Sequence, residues 1–362
     1  MRHYLSLLAL SQLMAIGCES PTTEDRKSTT QDSRRPNSNA IDSVVDGTAL
    51  DALFNQISSN GFRKIDSLLL LRDGELIFET YQNQYGPEKA HGIASITKSV
   101  TSLLIGIAID RGHISSVEDK VVNYFANTPY ENSWPADKQS ITIEHLLTMQ
   151  HGIACDDYGD PGMKQFRSWL NSDDRIAALL AMPMARPPGQ ESTYCTASTQ
   201  LLQQVIETST GQSVETFARR ALFEPLGIKS FRWERSPKHG VGMGFGAKAH
   251  PRDIAVLGRL VELHGNWQGT QIVSSKWLEE TFKRRGTLLE IDYGYLWYGE
   301  AYSINGETIQ SHLAMGHGGQ FLILFPQLQA ILVIAASDYD QEIDFYDLVK
   351  NYVIPVISAA DE

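Results

Sequence analysis

Ser95-Ile96-Thr97-Lys98 is the only S-x-x-K in the chain. Where such a string opens a helix, positions i and i+3 share a face, so the hydroxyl and the amine can meet. A serine hydroxyl is a weak nucleophile and needs a base beside it. A lysine can be that base only where burial lowers its pKa enough to populate the neutral amine. The start of a helix adds N–H groups and positive potential where an oxyanion would develop. The same residues also read as a capping serine with a solvated lysine one turn on, and the tetrapeptide alone does not choose between the two.

The context narrows the choice. The string Gly92-Ile93-Ala94-Ser95-Ile96-Thr97-Lys98-Ser99 resembles the nucleophile segment of serine hydrolases of the class C β-lactamase superfamily. That superfamily includes family VIII carboxylesterases, D-amino-acid peptidases and 6-aminohexanoate-dimer hydrolases. Four further matches follow in the same order. Glu144-His145-Leu146-Leu147-Thr148-Met149 with His151-Gly152-Ile153 resembles its L-L-[ST]-M-x-S-G-[LI] loop. Pro188-Gly189 leading to Ser192-Thr193-Tyr194 resembles P-G-x-x-[FW]-x-Y-[SC]. Gly294-Tyr295-Leu296-Trp297 resembles the aromatic G-Y-x-W strand, and Gly316-His317-Gly318-Gly319-Gln320 the final G-x-G-G-Q strand motif. The resemblance spans roughly residues 65 to 357 and implies a β-lactamase/transpeptidase-like fold.

It also implies roles. Ser95 would carry the acyl group, Lys98 would take its proton, and Tyr194 would act with Lys98 as base and as proton donor to the leaving group. A free phenol titrates at about 10, and a Lys98 ammonium beside Tyr194 would favour the phenolate. The backbone N–H groups of Ser95 and Gln320 would form the oxyanion hole. His317, Gly318, Gly319, Trp297 and Thr196 are expected on the substrate side. Asp156, in the pair Asp156-Asp157, either touches substrate or sits in a solvated loop. Two departures matter: Tyr194-Cys195-Thr196 stands where β-lactamases carry Y-x-N, and His317-Gly318-Gly319 where penicillin-recognising members carry K-T-G. Both point away from β-lactams and D-Ala-D-Ala peptides, towards uncharged esters or small amides. Two rivals stay open: a β-lactamase or D-Ala-D-Ala peptidase, and a non-catalytic binding or sensor lipoprotein on the same fold.

The elements that would position these residues can be read from periodicity. Leu68 to Leu71, Arg72-Asp73-Gly74 and Glu75 to Tyr81 predict a hairpin. Val100, Leu103, Leu104 and Ile107 recur at helical spacing after Ser95. Helices are predicted at Ile143–Met149, Lys164–Leu170, Arg175–Ala181, Thr199–Thr208, Val214–Leu222, Pro251–His264 and Ser275–Lys283. Gln320–Phe325 and Ala330–Ala336 predict buried strands, and Ile343–Ile357 a closing helix. Strands at both ends and helices between predict a mixed α/β (α+β) fold. One antiparallel sheet is flanked by helices and built from residues 65–93 and 285–362, with a mostly helical lobe over 94–284. A site at the seam follows.

The chain has 362 residues, 42% of them hydrophobic and 20% charged, enough for one large domain or two lobes. Thirteen Phe, 14 Tyr and 6 Trp exclude disorder throughout. A net charge of −12 excludes a polyanion binder, so no nucleic-acid partner is expected. Met1-Arg2-His3 followed by the mostly apolar run Tyr4–Ile16 and Gly17-Cys18 resembles a bacterial lipoprotein signal. This predicts a leader over 1–17 and either lipidation of Cys18 or ordinary secretion, with export in both cases. A lipidated chain would sit at the outer membrane facing the periplasm or cell surface, held by that lipid alone. Residues 18–40 are predicted to form a disordered tether ahead of a hydrolase domain over 41–362. Outside the cytoplasm Cys155 and Cys195 are expected either as a disulfide or as two buried thiols.

Other patterns lead nowhere. Gly240, Gly242, Gly244 and Gly246 lack the strand, turn and helix of a dinucleotide site, and suit close packing or a flexible segment near the cleft. No G-x-S-x-G, H-E-x-x-H or C-x-x-C occurs, so neither an α/β-hydrolase nor a metal is implied, and no cofactor is expected.

Overall fold

The computed structural model describes residues 47–58, 62, 64–236, 238–304 and 306–358. The leader, Cys18 and the tether lie outside the described residues. Helix α1 (Gly47–Ser58) precedes the hairpin of β1 (Ile65–Arg72) and β2 (Glu75–Tyr81), and β3 (His91–Gly92) leads into α2 (Ile96–Asp110). The middle carries α3 (Ile143–Leu147), α4 (Met163–Leu170), α5 (Arg175–Leu180), α6 (Thr199–Thr210), α7 (Val214–Ala218) and α8 (Glu224–Leu226). Then come β4 (Arg232–Trp233), β5 (Ala247–Ala249), α9 (Pro251–Glu262), β6 (Asn266–Trp267), β7 (Thr270–Gln271) and α10 (Ser275–Phe282). Strands β8 (Gly286–Leu288), β9 (Ile291–Tyr293), β10 (Tyr298–Ile304), β11 (Glu307–Gly316), β12 (Gln320–Phe325) and β13 (Ala330–Ala336) follow. Helices α11 (Phe345–Leu348) and α12 (Ile354–Ser358) end the described chain.

Eight strands form one antiparallel sheet in the order β2-β1-β13-β12-β11-β10-β9-β8, so the two chain ends meet at the β1–β13 pair, where Leu69 faces Val333. Apolar runs such as Leu68-Leu69-Leu70 and Ala330–Ala336 are buried throughout because helices cover both faces of the sheet. Alternation along β12 shows the two layers. Leu322 packs on Gly258 of α9, where a Cβ would lie 2.8 Å from its Cδ1. Phe321 points the other way, with its ring 4.7 Å from that of Phe345 in α11. The expected architecture is therefore the observed one.

Helix α2 is buried at every residue from Ile96 to Ala108, as expected of a helix threaded between the sheet and the helical lobe. Gly106 allows this, since a Cβ there would fall 2.3 Å from Trp277 Cδ1. The approach to α2 is anchored by a buried polar knot. The Asp66 carboxylate meets His91 Nε2 at 3.0 Å and accepts from Asn83 Nδ2 at 2.9 Å. It also accepts from the Ser337 hydroxyl, tying β1, β3 and the end of β13 together. Two expectations need correction. Gly294-Tyr295-Leu296-Trp297 is no strand but a bend between β9 and β10, with Leu296 at φ 58°. The closing helix begins at Phe345 and widens over Val349–Val353 before α12.

Candidate active site

Ser95 precedes the first residue of α2 and makes no side-chain capping bond, so the capping interpretation fails. Ala94, just before it, holds φ 45°, an unfavourable value for a residue with a Cβ. Thr97 locks it there, its hydroxyl and its N–H both donating to the Ala94 carbonyl. The Ser95 N–H has no hydrogen-bond partner among the described residues, leaving it available to an anion.

Lys98 is 2% exposed, so it is not a solvated lysine. Its Nζ lies 3.0 Å from Ser95 Oγ, 3.0 Å from Thr196 Oγ1 and 2.9 Å from the Gly244 carbonyl. Burial lowers its pKa to about 7, against an opposing pull from the Asp157 carboxylate. A neutral amine here can donate to Thr196 and Gly244 and keep its lone pair for the Ser95 proton. The Gly244 contact requires a glycine, because a Cβ would lie 2.7 Å from Thr199 Oγ1 and 3.2 Å from Lys98 Cε. Of the period-two glycines, Gly244 thus serves close packing against the lysine.

Tyr194 is buried, with its ring 4.7 Å from Lys98 Nζ and its hydroxyl interacting with those of Ser95 and Thr196. Burial raises its pKa above the ordinary phenol value, and the Ser95 contact only partly opposes this. The expected phenolate is therefore not what this environment favours. Lys98 is the group brought near neutrality by desolvation, and Tyr194 stays a protonated donor.

The motif loops converge by backbone pairing. Thr193 N–H donates to the Met149 carbonyl and Gly189 N–H to that of Gln150, so the Leu146–Met149 loop runs beside the segment ending in Tyr194. Leu296 N–H donates to the Leu147 carbonyl, while the Leu296 carbonyl accepts from Ser99 Oγ at 2.8 Å. A disulfide joins Cys155 to Cys195 and closes a separation of 40 residues. Replacing both cysteines by alanine is expected to lower unfolding free energy by about 3–4 kcal/mol. A guanidinium titration would show this as a lower midpoint, and an unchanged midpoint would refute it.

Several residues expected on the substrate side lie elsewhere. Trp297 is buried in the core against Phe282. Thr196 is buried and engaged with Lys98. Asp156 accepts from Tyr158 N–H and so caps its own loop. Gln320 is also misassigned. The oxyanion role was expected of its backbone N–H, but that backbone begins β12 and pairs with Gly316 of β11, while its buried side-chain amide donates to the Ala336 and Gly318 carbonyls. At the β11 end it is Gly316 that meets the nucleophile segment, where a Cβ would lie 2.6 Å from the Ile93 carbonyl. Gly318 and Gly319 form the β11–β12 turn at φ 85° and 84°, packed on Tyr339 and Phe345. His317 stands at that turn, its ring 5.4 Å from Tyr339. Burial lowers its pKa although Asp338 opposes, so it is neutral at pH 7.

Two residues were missed. Asp157, not Asp156, is the buried acid, accepting from Thr196 N–H at 2.9 Å. The cysteines could have shown it, since a bond between Cys155 and Cys195 brings the residues just beyond them together. Tyr158, 43% exposed, lays its ring 5.2 Å from that of Tyr194 and gives the site an aromatic rim. Among the described residues, no cluster of three or more His, Cys, Asp or Glu could hold a metal.

The chain is 24% identical over 316 residues to the 6-aminohexanoate-dimer hydrolase of Paenarthrobacter ureafaciens, covering 82% of this chain and 78% of that protein. The solved structure of EstCE1, described as a hydrolase with promiscuous acyltransferase activity, is similar at TM-score 0.67 and 14% identity, over 86% of this chain and 98% of that one. A D-stereospecific amidohydrolase from a Streptomyces species gives 0.64 and 15%, over 85% and 98%. The two structures speak for the fold alone. A family model described as Beta-lactamase matches residues 50–347. With most of its length matched, the chain belongs to the Beta-lactamase family of hydrolases.

Proposed function

We propose that this protein is an exported serine hydrolase that cleaves uncharged esters or small amides through an acyl-enzyme on Ser95. The observation that carries it is the 3.0 Å approach of Ser95 Oγ to a buried Lys98 whose other two partners are fixed. As Oγ attacks the substrate carbonyl carbon, the Ser95 proton passes to Lys98 Nζ. The carbonyl oxygen becomes an oxyanion facing the free Ser95 N–H, with the backbone at the β11 end beside it. Collapse breaks the bond to the leaving group, which takes a proton from the Tyr194 hydroxyl, and the Lys98 ammonium reprotonates Tyr194. Water then attacks the acyl carbon by the reverse sequence and frees the acid.

The neutral His317 supports an uncharged substrate, because it offers no cation to a substrate carboxylate. Export rests on the leader and on Cys18, which would tether the domain by lipid. Among the described residues, no helix is long and apolar enough to cross a membrane. The test is nitrophenolate release from a p-nitrophenyl short-chain ester by the purified protein, with Ser95→Ala alongside. Turnover lost in the variant supports the proposal. Faster turnover of a cephalosporin would favour the β-lactamase rival, and no turnover or adduct with any acyl donor would favour a binding protein.

A further inference from the structure

The site holds a buried acid that the acyl-transfer steps above do not use. Asp157 is 6% exposed, and leaving a carboxylate in such a place costs stability unless it is held and serves a partner. Its Oδ2 accepts from the Thr196 N–H at 2.9 Å, and its own N–H donates to the Tyr194 carbonyl at 2.8 Å. Burial raises the Asp157 pKa above the ordinary carboxylate value, with Thr196 and Lys98 opposing the shift, and the Thr196 hydroxyl oxygen accepts from Lys98 Nζ at 3.0 Å. Thr196 therefore links the two groups, its N–H held by the Asp157 carboxylate and its hydroxyl oxygen by Lys98 Nζ, which also reaches Ser95 Oγ at 3.0 Å.

Resting on the acyl-enzyme proposal, we infer that Asp157 is a positioning residue that orients Lys98 through Thr196 and supplies the counter-charge for the ammonium formed as Ser95 is deprotonated. Only the lysine changes protonation in this step. The disulfide belongs to the same device. Cys155 lies two residues before Asp157, and Cys195 lies between Tyr194 and Thr196. The bond therefore clamps together the two segments that the acid bridges.

The electrostatics give a sign. Desolvation lowers the Lys98 pKa and the Asp157 charge raises it. The other groups around Lys98 are uncharged near neutrality. Its own helix offers the Ser95 hydroxyl, and the 194–196 segment offers Tyr194 and the Thr196 hydroxyl. The 242–246 segment offers only the Gly244 carbonyl. The sheet tyrosines Tyr293 and Tyr298 act on Tyr194 rather than on Lys98 and are held protonated by burial, which leaves Asp157 as the charge that acts on the lysine. Asp156, beside Asp157, acts on Asp157 in the opposite sense to Lys98. Removing the Asp157 charge should thus lower the pKa of Lys98.

The test is the pH profile of ester turnover by purified wild type, Asp157→Asn and Thr196→Val. Asparagine keeps an acceptor for the Thr196 N–H but not the charge. In Asp157→Asn the acid limb of kcat should move down by about one pH unit, with plateau kcat down about 10–100-fold and KM within twofold. Thr196→Val keeps the backbone bond to Asp157 and deletes only the hydroxyl link, so its kcat should fall with KM unchanged, and Thr196→Ser should restore it. A folded Asp157→Asn with wild-type limb and kcat would overturn the inference. So would a fully active Thr196→Val, which decides the matter should Asp157→Asn not fold. A wild type without Ser95-dependent turnover would instead overturn the acyl-enzyme proposal beneath it.

Discussion

Lys98→Met is expected to lower kcat/KM for an ester substrate by about 10⁴-fold, the upper range for loss of a general base. Methionine matches the length and buried character of the lysine stem, so the core around α2 should stay filled. What disappears is the amine 3.0 Å from Ser95 Oγ, and no other base in the site can replace it. Tyr194 is held protonated by burial, and His317 stands at the turn with its ring on Tyr339. The same lysine sets the pH dependence. Burial lowers its pKa to about 7, so the neutral, active amine dominates above that value and the inactive ammonium below it. Wild-type activity should therefore rise with pH through about 7 and then level off. An acid limb near the carboxylate range would point to a different base, and Lys98→Met activity within tenfold of wild type would remove the lysine from the chemistry.

Tyr194→Phe is expected to show a leaving-group signature. Its hydroxyl interacts with that of Ser95 and is kept neutral by burial, which suits a donor to a departing oxygen or nitrogen. p-Nitrophenolate leaves without help, so turnover of its esters should fall by less than about tenfold. An alkyl ester or an anilide needs the proton, and its turnover should fall by about 10²–10³-fold. Equal losses on both substrates would instead make Tyr194 a base in the attack on the carbonyl. Steady-state kinetics with the two substrates decides it.

The parts of this molecule that a linear pattern reports were readable before the fold was known. The apolar runs at Gln320–Phe325 and Ala330–Ala336 are the observed strands β12 and β13. Ser95 and Lys98 are one helical turn apart, so their meeting needed only the helix. The residues that failed depend on contacts between distant segments. Trp297 looked like a site aromatic because a bend was taken for a strand, and the bend turns its ring into the core. Gln320 was given an oxyanion role by its place in a motif, yet the three-residue turn puts Gly316 against the nucleophile segment. Asp157 looked like half of a solvated acidic pair, because nothing local shows that Thr196, 39 residues on, would cover it. The phenolate at Tyr194 failed on magnitude, since desolvation of a buried phenol outweighs a nearby amine that is itself desolvated.

Whether Ser95 carries the acyl group is tested most directly by intact-mass spectrometry of protein quenched in acid while it turns over a slowly deacylating ester, followed by peptide mapping. The expected result is a mass increase equal to the acyl group, confined to the peptide holding Ser95 and absent from Ser95→Ala. Turnover with no adduct at any time point, or an adduct on another residue, would contradict the assignment of Ser95 as nucleophile.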